Sequence, residues 1–182
     1  MAPSYAARAT LATMSTELER VRALRDAYAG LQAPVAAREP WPLAGVFGAE
    51  PEASWGPREV LAHVAEMLQF WLGELERVVD GAPGGQVAQF GRVATDAVRI
   101  GLIERDRTLP LRVLFSRIDR GLAEWTDRLD DLTIDERARV GRHPTLGEFP
   151  STAILDRFVL GHAEEHVDQL EAILADAGRH PA

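Results

Sequence analysis

Residues 55–80 read WGPREVLAHVAEMLQFWLGELERVVD and carry the clearest structural pattern in the chain. Gly56 can cap a helix, and Pro57 suits the first helical position because its missing N–H leaves no bond unmade. Apolar residues then recur at helical spacing and form a broad face, comprising Val60, Leu61, Val64, Met67, Leu68, Trp71, Leu72 and Leu75. The pattern predicts an amphipathic helix that ends near Asp80, before a segment rich in glycine.

Three further long helices are predicted around this one, at residues 15–28, 111–129 and 150–177. Connections that contain proline and glycine are expected at 34–55 and 130–149, with a weaker helical region at 86–105. Strand-like alternation is sparse in the remaining sequence. We therefore predict an all-α protein built as a four-helix bundle.

The length and charge of the chain limit its organisation and its partners. A chain of 182 residues suits one domain, which we assign to residues 14–178, with a disordered tail at 1–13 and a short tail at 179–182. The formal net charge of −8 argues against nucleic acid as a partner, because phosphate contacts need a basic surface. No apolar run approaches the roughly 20 residues that span a bilayer, and no secretory signal is recognisable. A cytoplasmic protein without membrane contact is expected.

Three histidines lie on the apolar faces of predicted helices. His63 belongs to the helix of residues 55–80, whereas His162 and His166 are one turn apart on the apolar stripe of the last helix. A third imidazole from a facing helix would complete a three-nitrogen metal site with an open position, which is typical of catalytic sites. In the alternative interpretation, the histidines are core residues that pack without a metal.

Polar residues near these histidines are candidates for supporting or catalytic roles. Glu66 and Glu165 each follow a histidine by three residues, and either could orient an imidazole or act as a base. Gln169 could donate a hydrogen bond to a ligand or substrate. The alternative for the two acids is a solvated helix face. His143 and His180 lie outside the predicted helices, and we expect both at the surface.

The absence of cysteine constrains the chemistry of any such site. It excludes disulfides, a thiolate zinc site and a cysteine nucleophile. A thiol that takes part in a reaction must therefore come from outside the chain. The nucleophile that the site itself would most naturally supply is metal-bound water or hydroxide.

Two motifs resemble signatures of the DinB-like (YfiT-like) superfamily of metalloenzymes. Trp55-Gly-Pro-Arg-Glu-Val-Leu-Ala-His63 resembles its second-helix signature, and Gly161-His162-Ala-Glu-Glu-His166-Val-Asp-Gln169 resembles its fourth-helix signature. The segment Pro144-Thr-Leu-Gly147-Glu-Phe is similar to the loop that enters the last helix. The resemblance covers nearly the whole chain and implies a bundle with up-down-down-up topology.

The resemblance also implies a divalent metal, commonly zinc or nickel, with His63, His162 and His166 as its ligands. Some members of the superfamily transfer bacillithiol or mycothiol, and one group isomerises maleylpyruvate with mycothiol. We therefore expect a metal-dependent thiol S-transferase that acts on an electrophilic small molecule, and family analogy favours a homodimer. Two alternatives are a hydrolase that uses metal-bound hydroxide and a helical bundle that binds a metal or ligand without catalysis.

Overall fold

The computed structural model describes residues 5–43 and 52–179, with the backbone alone described for 5–15 and Ala53. In chain order the helices are α1 (Tyr5–Ala36), α2 (Pro57–Asp80), α3 (Ala97–Asp106), α4 (Leu111–Asp131), α5 (Ile134–Arg137), α6 (Ser151–Ile154) and α7 (Gly161–Arg179). The strands are β1 (Ala88–Gln89), β2 (Val140–His143) and β3 (Gly147–Pro150), and a π-helical segment, Leu155–Leu160, joins α6 to α7. Within these described ranges, no helix combines the length and apolar character needed to cross a bilayer.

The long helices pack as a ring in which α1 and α2 each contact both α4 and α7. Helices α1 and α2 therefore lie diagonally opposite each other, and a long connection between them is required. Their apolar faces meet in one core, which includes Val21, Leu24, Leu61, Leu68, Leu114, Ile118, Leu122, Trp125, Val159 and Leu170. The four-helix bundle predicted from the sequence is confirmed.

The first helix extends further in both directions than the sequence predicts. It begins at Tyr5 rather than near Ser15, so residues 5–13, which we expected in a tail, are helical. Neither glycine nor proline interrupts the chain from 5 to 29, and alanine, the strongest helix former, recurs near its start. Pro34, which we expected in the connection, lies in the last turn of α1, and the helix ends at Ala36.

Helix α2 begins and ends where the sequence predicts. Gly56 is the N-cap, with extended backbone at φ −80° and ψ 176°, and its carbonyl accepts a hydrogen bond of 3.1 Å from the Val60 N–H. Pro57 occupies the first helical position, where no N–H is needed. At the other end, Gly81 donates its N–H to the Arg77 carbonyl at a φ of +77°, a conformation that favours glycine.

A small three-stranded sheet, which the sequence analysis does not predict, lies beside the bundle. Strand β1 pairs in parallel with β2, and β2 pairs antiparallel with β3. The strands are two to four residues long, too short for an alternating pattern to be recognised. Strands therefore lie in the predicted connection 130–149 and in the weaker helical region 86–105, where α3 forms the helical part.

The sheet contacts α2 through Gly141, which has no side chain to hold the two apart. A Cβ at this position would lie 2.5 Å from Val78 Cγ2 and 2.7 Å from Phe90 Cδ1. Val78 and Phe90 are both buried. The close approach of β2 to α2 therefore depends on glycine at position 141, because a packed interior tolerates little added volume.

The C-terminal helical element continues without a break from α6 through the π-helical segment into α7. It corresponds to the helix predicted from Pro150 to Ala177. In the segment between α6 and α7, Gly161 donates its N–H to the carbonyl of Asp156, five residues earlier. Such π turns are rare and occur frequently at functional sites.

We expect Gly141→Ala to lower the free energy of unfolding by about 1–3 kcal/mol, because the added methyl group overpacks the contact between β2 and α2. Gly101→Ala in α3 is the matched control, since a Cβ there meets no atom within 4 Å. Better helix propensity should leave that variant as stable as wild type or more stable by up to about 1 kcal/mol. Chemical denaturation measures both changes, and wild-type stability in Gly141→Ala would contradict the packing described above.

Candidate metal centre

His63 projects from α2 into the bundle core. It is 3% exposed, and its ring meets that of Trp55 edge to face at a centroid distance of 5.5 Å. Its Nε2 lies 3.0 Å from the Nε2 of His162. Its Nδ1 is buried and has no hydrogen-bond partner among the residues that the structure describes. The nitrogen that His63 presents to the other imidazoles is therefore Nε2.

His162 and His166 lie one turn apart at the start of α7, directly after the π-helical segment. Their Nε2 atoms are 3.2 Å apart, and each ring is nearly perpendicular to the other and to the ring of His63. His166 is buried, whereas the side chain of His162 is 29% exposed. The fold thus brings together three histidines from two helices that lie far apart in the sequence.

A short chain of hydrogen bonds determines which nitrogen of His166 carries the proton. The side-chain amide of Gln169 donates to the main-chain oxygen of Glu52 at 2.8 Å, so its Oε1 faces His166 Nδ1 at 2.9 Å. An amide oxygen only accepts, so Nδ1 carries the proton and the neutral ring keeps its lone pair on Nε2. Gln169, a candidate from the sequence, thus orients His166 in the way that supporting residues orient metal-binding histidines.

Burial keeps two of the imidazoles neutral at physiological pH. It lowers the pKa of His63 well below the usual value, and the nearby Arg99 guanidinium lowers it further. Burial, followed by the influence of His162, lowers the pKa of His166 to about 4. A ring nitrogen binds metal through the lone pair of its neutral form. His63 and His166 are therefore in the metal-binding form near neutral pH.

Glu52 also belongs to the site, although the sequence analysis did not identify it. It begins the 3-10 turn Glu52–Ser54 ahead of α2, and its Oε2 lies 3.8 Å from His162 Nε2 and 4.0 Å from His166 Nε2. One potential ligand atom from Glu52 and one from each histidine all lie within 4.8 Å of one another. Helical periodicity carries no information about a residue in an irregular connection, so no signal in the sequence indicated Glu52.

Arg99, near the start of α3, holds the carboxylate of Glu52. It is 5% exposed and pairs with Glu52 Oε1, which leaves Oε2 directed toward the imidazoles. Its Nη1 donates to the Ala94 carbonyl at 2.9 Å, and its Nη2 lies 3.4 Å from His63 Nε2. Asp96, the N-cap of α3, accepts a bond from the Arg99 N–H. This second residue missed by the sequence analysis fixes the position of the carboxylate.

The two acidic candidates from the sequence have different surroundings. Glu66 is bound by both terminal nitrogens of Arg92, at 2.7 and 2.5 Å. Glu165 lies 3.5 Å from His162 Nδ1, and its side chain is 77% exposed. Glu165 is therefore placed to orient an imidazole, whereas the carboxylate of Glu66 is occupied by an arginine.

The prediction that His143 lies at the surface is wrong. It is 5% exposed, and its ring stacks on Phe158 with centroids 5.6 Å apart. Its Nε2 lies 3.3 Å from the Arg92 carbonyl, and a Cβ on Gly91 would approach its ring to 2.4 Å. Strand β2 turns this residue inward, because successive strand residues point to opposite faces. His180 lies outside the described residues.

A cavity of about 300 Å³ opens beside His63 and His162. Its wall also contains the aromatic rings of Trp71 and Phe158, the carboxylates of Glu52 and Glu165, and the guanidinium groups of Arg92, Arg99 and Arg157. A small molecule in this cavity can therefore reach the imidazole side chains, the Glu52 carboxylate and arginine side chains at the same time.

The donor set suits a divalent transition metal. Three nitrogens at about 2.0–2.1 Å from a tetrahedral metal lie about 3.3 Å apart, close to the observed separations of 3.0 and 3.2 Å. His166 Nε2 carries a lone pair and no proton. The three Nε2 atoms therefore cannot all donate a hydrogen bond to one another. A cation that accepts the lone pairs would remove this conflict.

Comparisons with known proteins show the family of the chain and agree with its fold. The sequence matches the DinB superfamily over residues 7–170, and the chain belongs to this superfamily. Its structure is similar to that of YfiT from Bacillus subtilis, described as a probable metal-dependent hydrolase with an unusual four-helix bundle topology. The TM-score is 0.67 at 15% sequence identity, and the match covers 89% of this chain and 87% of that chain. None of the curated proteins matches the sequence significantly.

We expect the metal-free protein to lose stability as the pH falls from about 6.5 to about 4. The folded-state pKa of His166 is about 4, below the usual 6.5, so the unfolded chain binds more protons in this range. Neutral His166 therefore contributes its full stabilisation above pH 6.5. By pH 4, about 3 kcal/mol of the free energy of unfolding is lost. Denaturation of EDTA-treated protein across this range measures it.

The variant His166→Gln isolates this effect from the titration of other groups. It should show a flatter dependence of stability on pH between 4 and 6.5 than wild type does. An identical pH profile in the two proteins would mean that His166 does not contribute.

Proposed function

We propose that the protein is a metal-dependent enzyme in which His63, His162 and His166 hold one divalent metal, zinc or nickel. Support comes from the convergence of their Nε2 atoms, with separations of 3.0 and 3.2 Å. Three protein ligands leave a coordination position open, which is the arrangement of catalytic sites. The cavity beside the histidines gives a substrate access to this position.

In this proposal Glu52 is the proton acceptor. Its Oε2 lies 3.8 and 4.0 Å from the Nε2 atoms of His162 and His166, too far for a direct hydrogen bond. A water molecule between the carboxylate and the imidazoles would be within hydrogen-bond reach of Oε2. Because Arg99 holds the other oxygen of Glu52, the carboxylate is kept in position to accept a proton from this water.

Hydrolysis is the reaction class that the site supports best, and the position of Glu52 is the observation that carries this choice. A divalent metal supplies Lewis acidity, which lowers the pKa of water from 15.7 to about 7 and polarises a carbonyl group. Glu52 accepts a proton from water as the oxygen forms a bond to the carbonyl carbon of the substrate. It returns the proton to the leaving group when the bond to that group breaks.

Two further observations support a hydrolase. The cavity of about 300 Å³ lies at the small end of ligand pockets, so one small substrate and water fill it. The similar structure from Bacillus subtilis is itself described as a probable metal-dependent hydrolase. The substrate class that this chemistry requires is a small molecule with an activated carbonyl group.

Transfer of a low-molecular-weight thiol, the reaction that the sequence analysis favours, is the second candidate. The chain contains no cysteine, so the thiol would come from solution, and a metal centre would favour its thiolate form. In this reaction, Glu52 would accept the thiol proton instead. The homodimer and the cytoplasmic location also stay predictions, and a bundle that binds metal without catalysis is a third candidate.

Elemental analysis tests the ligand set. Purified, tag-free protein should contain about one transition metal per chain, and replacement of His63, His162 or His166 by Ala should abolish this content. Gln169→Ala should weaken metal affinity by about 10- to 100-fold, because His166 Nδ1 loses its acceptor. The exposed Asp168→Asn on the same helix is the control that keeps wild-type content. Full metal content in the His162 and His166 variants would contradict the assignment.

Glu52→Gln should lower kcat by about 10²- to 10⁴-fold with unchanged metal content, because the amide keeps the size of the side chain but cannot accept a proton. Glu171→Gln, at an exposed position of α7 outside the cavity, should keep kcat close to that of wild type. Steady-state hydrolysis of small activated esters by the zinc-loaded and nickel-loaded enzymes measures both variants. An unaltered kcat in Glu52→Gln would remove Glu52 from the mechanism.

The same assay distinguishes the two reactions. Turnover in buffer without a thiol supports hydrolysis. Turnover that requires added bacillithiol or mycothiol and forms a thioether or thioester product supports transfer. Metal-loaded protein with no turnover of any electrophile in either condition would favour the non-catalytic bundle.

A further inference from the structure

Three guanidinium groups line the cavity beside the histidines, but two of them are neutralised. Arg92 pairs with Glu66, and Arg99 pairs with Glu52. Both arginines are largely buried, as expected for guanidinium groups whose charge is balanced by a carboxylate. They account for two of the three positive charges in the wall.

Arg157 is different, because no carboxylate lies within ion-pair distance of it among the described residues. Its guanidinium lies 5.8 Å from the ring centroid of Phe149 and 5.6 Å from that of Phe158. The adjacent carboxylate, Asp156, is bound by Arg20 of α1. Arg157 is therefore an exposed guanidinium in the cavity wall without an ion-pair partner among the described residues.

Neither acidic residue of the wall forms an ion pair with Arg157. Glu52 is paired with Arg99, and Glu165 is 77% exposed and lies 3.5 Å from His162 Nδ1. A divalent metal on the three histidines would add further positive charge to the same cavity. An anionic group is therefore the partner that the guanidinium of Arg157 favours.

A stack of aromatic rings lies beside Arg157 in the wall. The rings of Trp71 and Phe158 stack with centroids 4.7 Å apart and planes at 23°. Phe158 is supported from the other side by His143, whose ring is almost parallel to it. Both faces of Phe158 are therefore covered, and the edges of the stacked rings can contact the apolar part of a ligand whose charged end meets Arg157.

We propose that the cavity binds small molecules that carry an anionic group, a carboxylate or its phosphate or sulfonate equivalent, on an apolar body, with Arg157 as the specificity-determining residue. This inference rests on the proposed function for its meaning, since it names the substrate class of the proposed enzyme. The positions of Arg157, Trp71 and Phe158 on which it is based, however, do not depend on a bound metal. In this arrangement Arg157 binds the anionic group through its planar N–H donors, and Trp71 and Phe158 contact the apolar part.

Binding of benzoate and benzamide tests the proposal, because the two differ in charge but scarcely in shape. Isothermal titration calorimetry is carried out at pH 7 on metal-free protein, so that a carboxylate cannot bind a metal instead. Benzoate should bind at least about tenfold more tightly than benzamide to wild-type protein, since bonds to charged groups are the stronger ones. Arg157→Gln should remove the difference, and Arg157→Lys should keep part of it.

Arg22→Gln on α1, an exposed arginine outside the cavity, is the charge-matched control and should bind benzoate as wild type does. Equal binding of the two probes by wild type, the absence of benzoate binding, or wild-type affinity in Arg157→Gln would each overturn the proposal. Zinc content is measured in parallel, and Arg157→Gln should keep it. If wild type does not bind zinc, the proposed function is refuted. The benzoate comparison, made on metal-free protein, still decides the role of Arg157.

Discussion

Three imidazoles, two of them buried, whose Nε2 atoms meet at 3.0 and 3.2 Å are the interaction on which the rest of the site depends. Burial makes protonation of His63 and His166 unfavourable, and the bond to Gln169 leaves a lone pair on the inner nitrogen of His166. Nitrogens with lone pairs directed at one point are costly in a protein interior unless a donor or a cation satisfies them. The residues around the three imidazoles fix the orientation of His166 and the position of the Glu52 carboxylate.

The connectivity of the bundle supplies these residues. The connection between the diagonal helices α1 and α2 ends in the turn that contains Glu52, directly before α2. The main-chain oxygen of Glu52 accepts the amide of Gln169 from α7, while its carboxylate binds Arg99 from α3. A single residue thus links the entrance of α2 to two other helices. The same link connects the carboxylate of the site to the orientation of His166.

The small sheet and the π-helical segment shape the cavity next to the histidines. Strand β2 places His143 against Phe158, and the His143 ring also lies close to the main chain of Arg92. The π-helical segment carries Phe158 and Arg157 immediately before the histidines of α7. Phe158 and Arg157 therefore come from a segment outside the regular α-helices, where the backbone can place side chains that a continuous α-helix would direct elsewhere. Trp71 and Arg99, by contrast, belong to α2 and α3.

The sequence by itself determined the long helices, the start of α2 at Gly56 and Pro57, and the inward direction of the three histidines. These features follow from local physics, since helical periodicity and capping involve residues within a few positions of one another. Glu52, Arg99, the burial of His143 and the three-stranded sheet were decided by the tertiary structure. Glu52 and Arg99 are 47 positions apart, and the strands are too short to leave a pattern. Such contacts depend on how distant segments pack, which no local pattern of residues specifies.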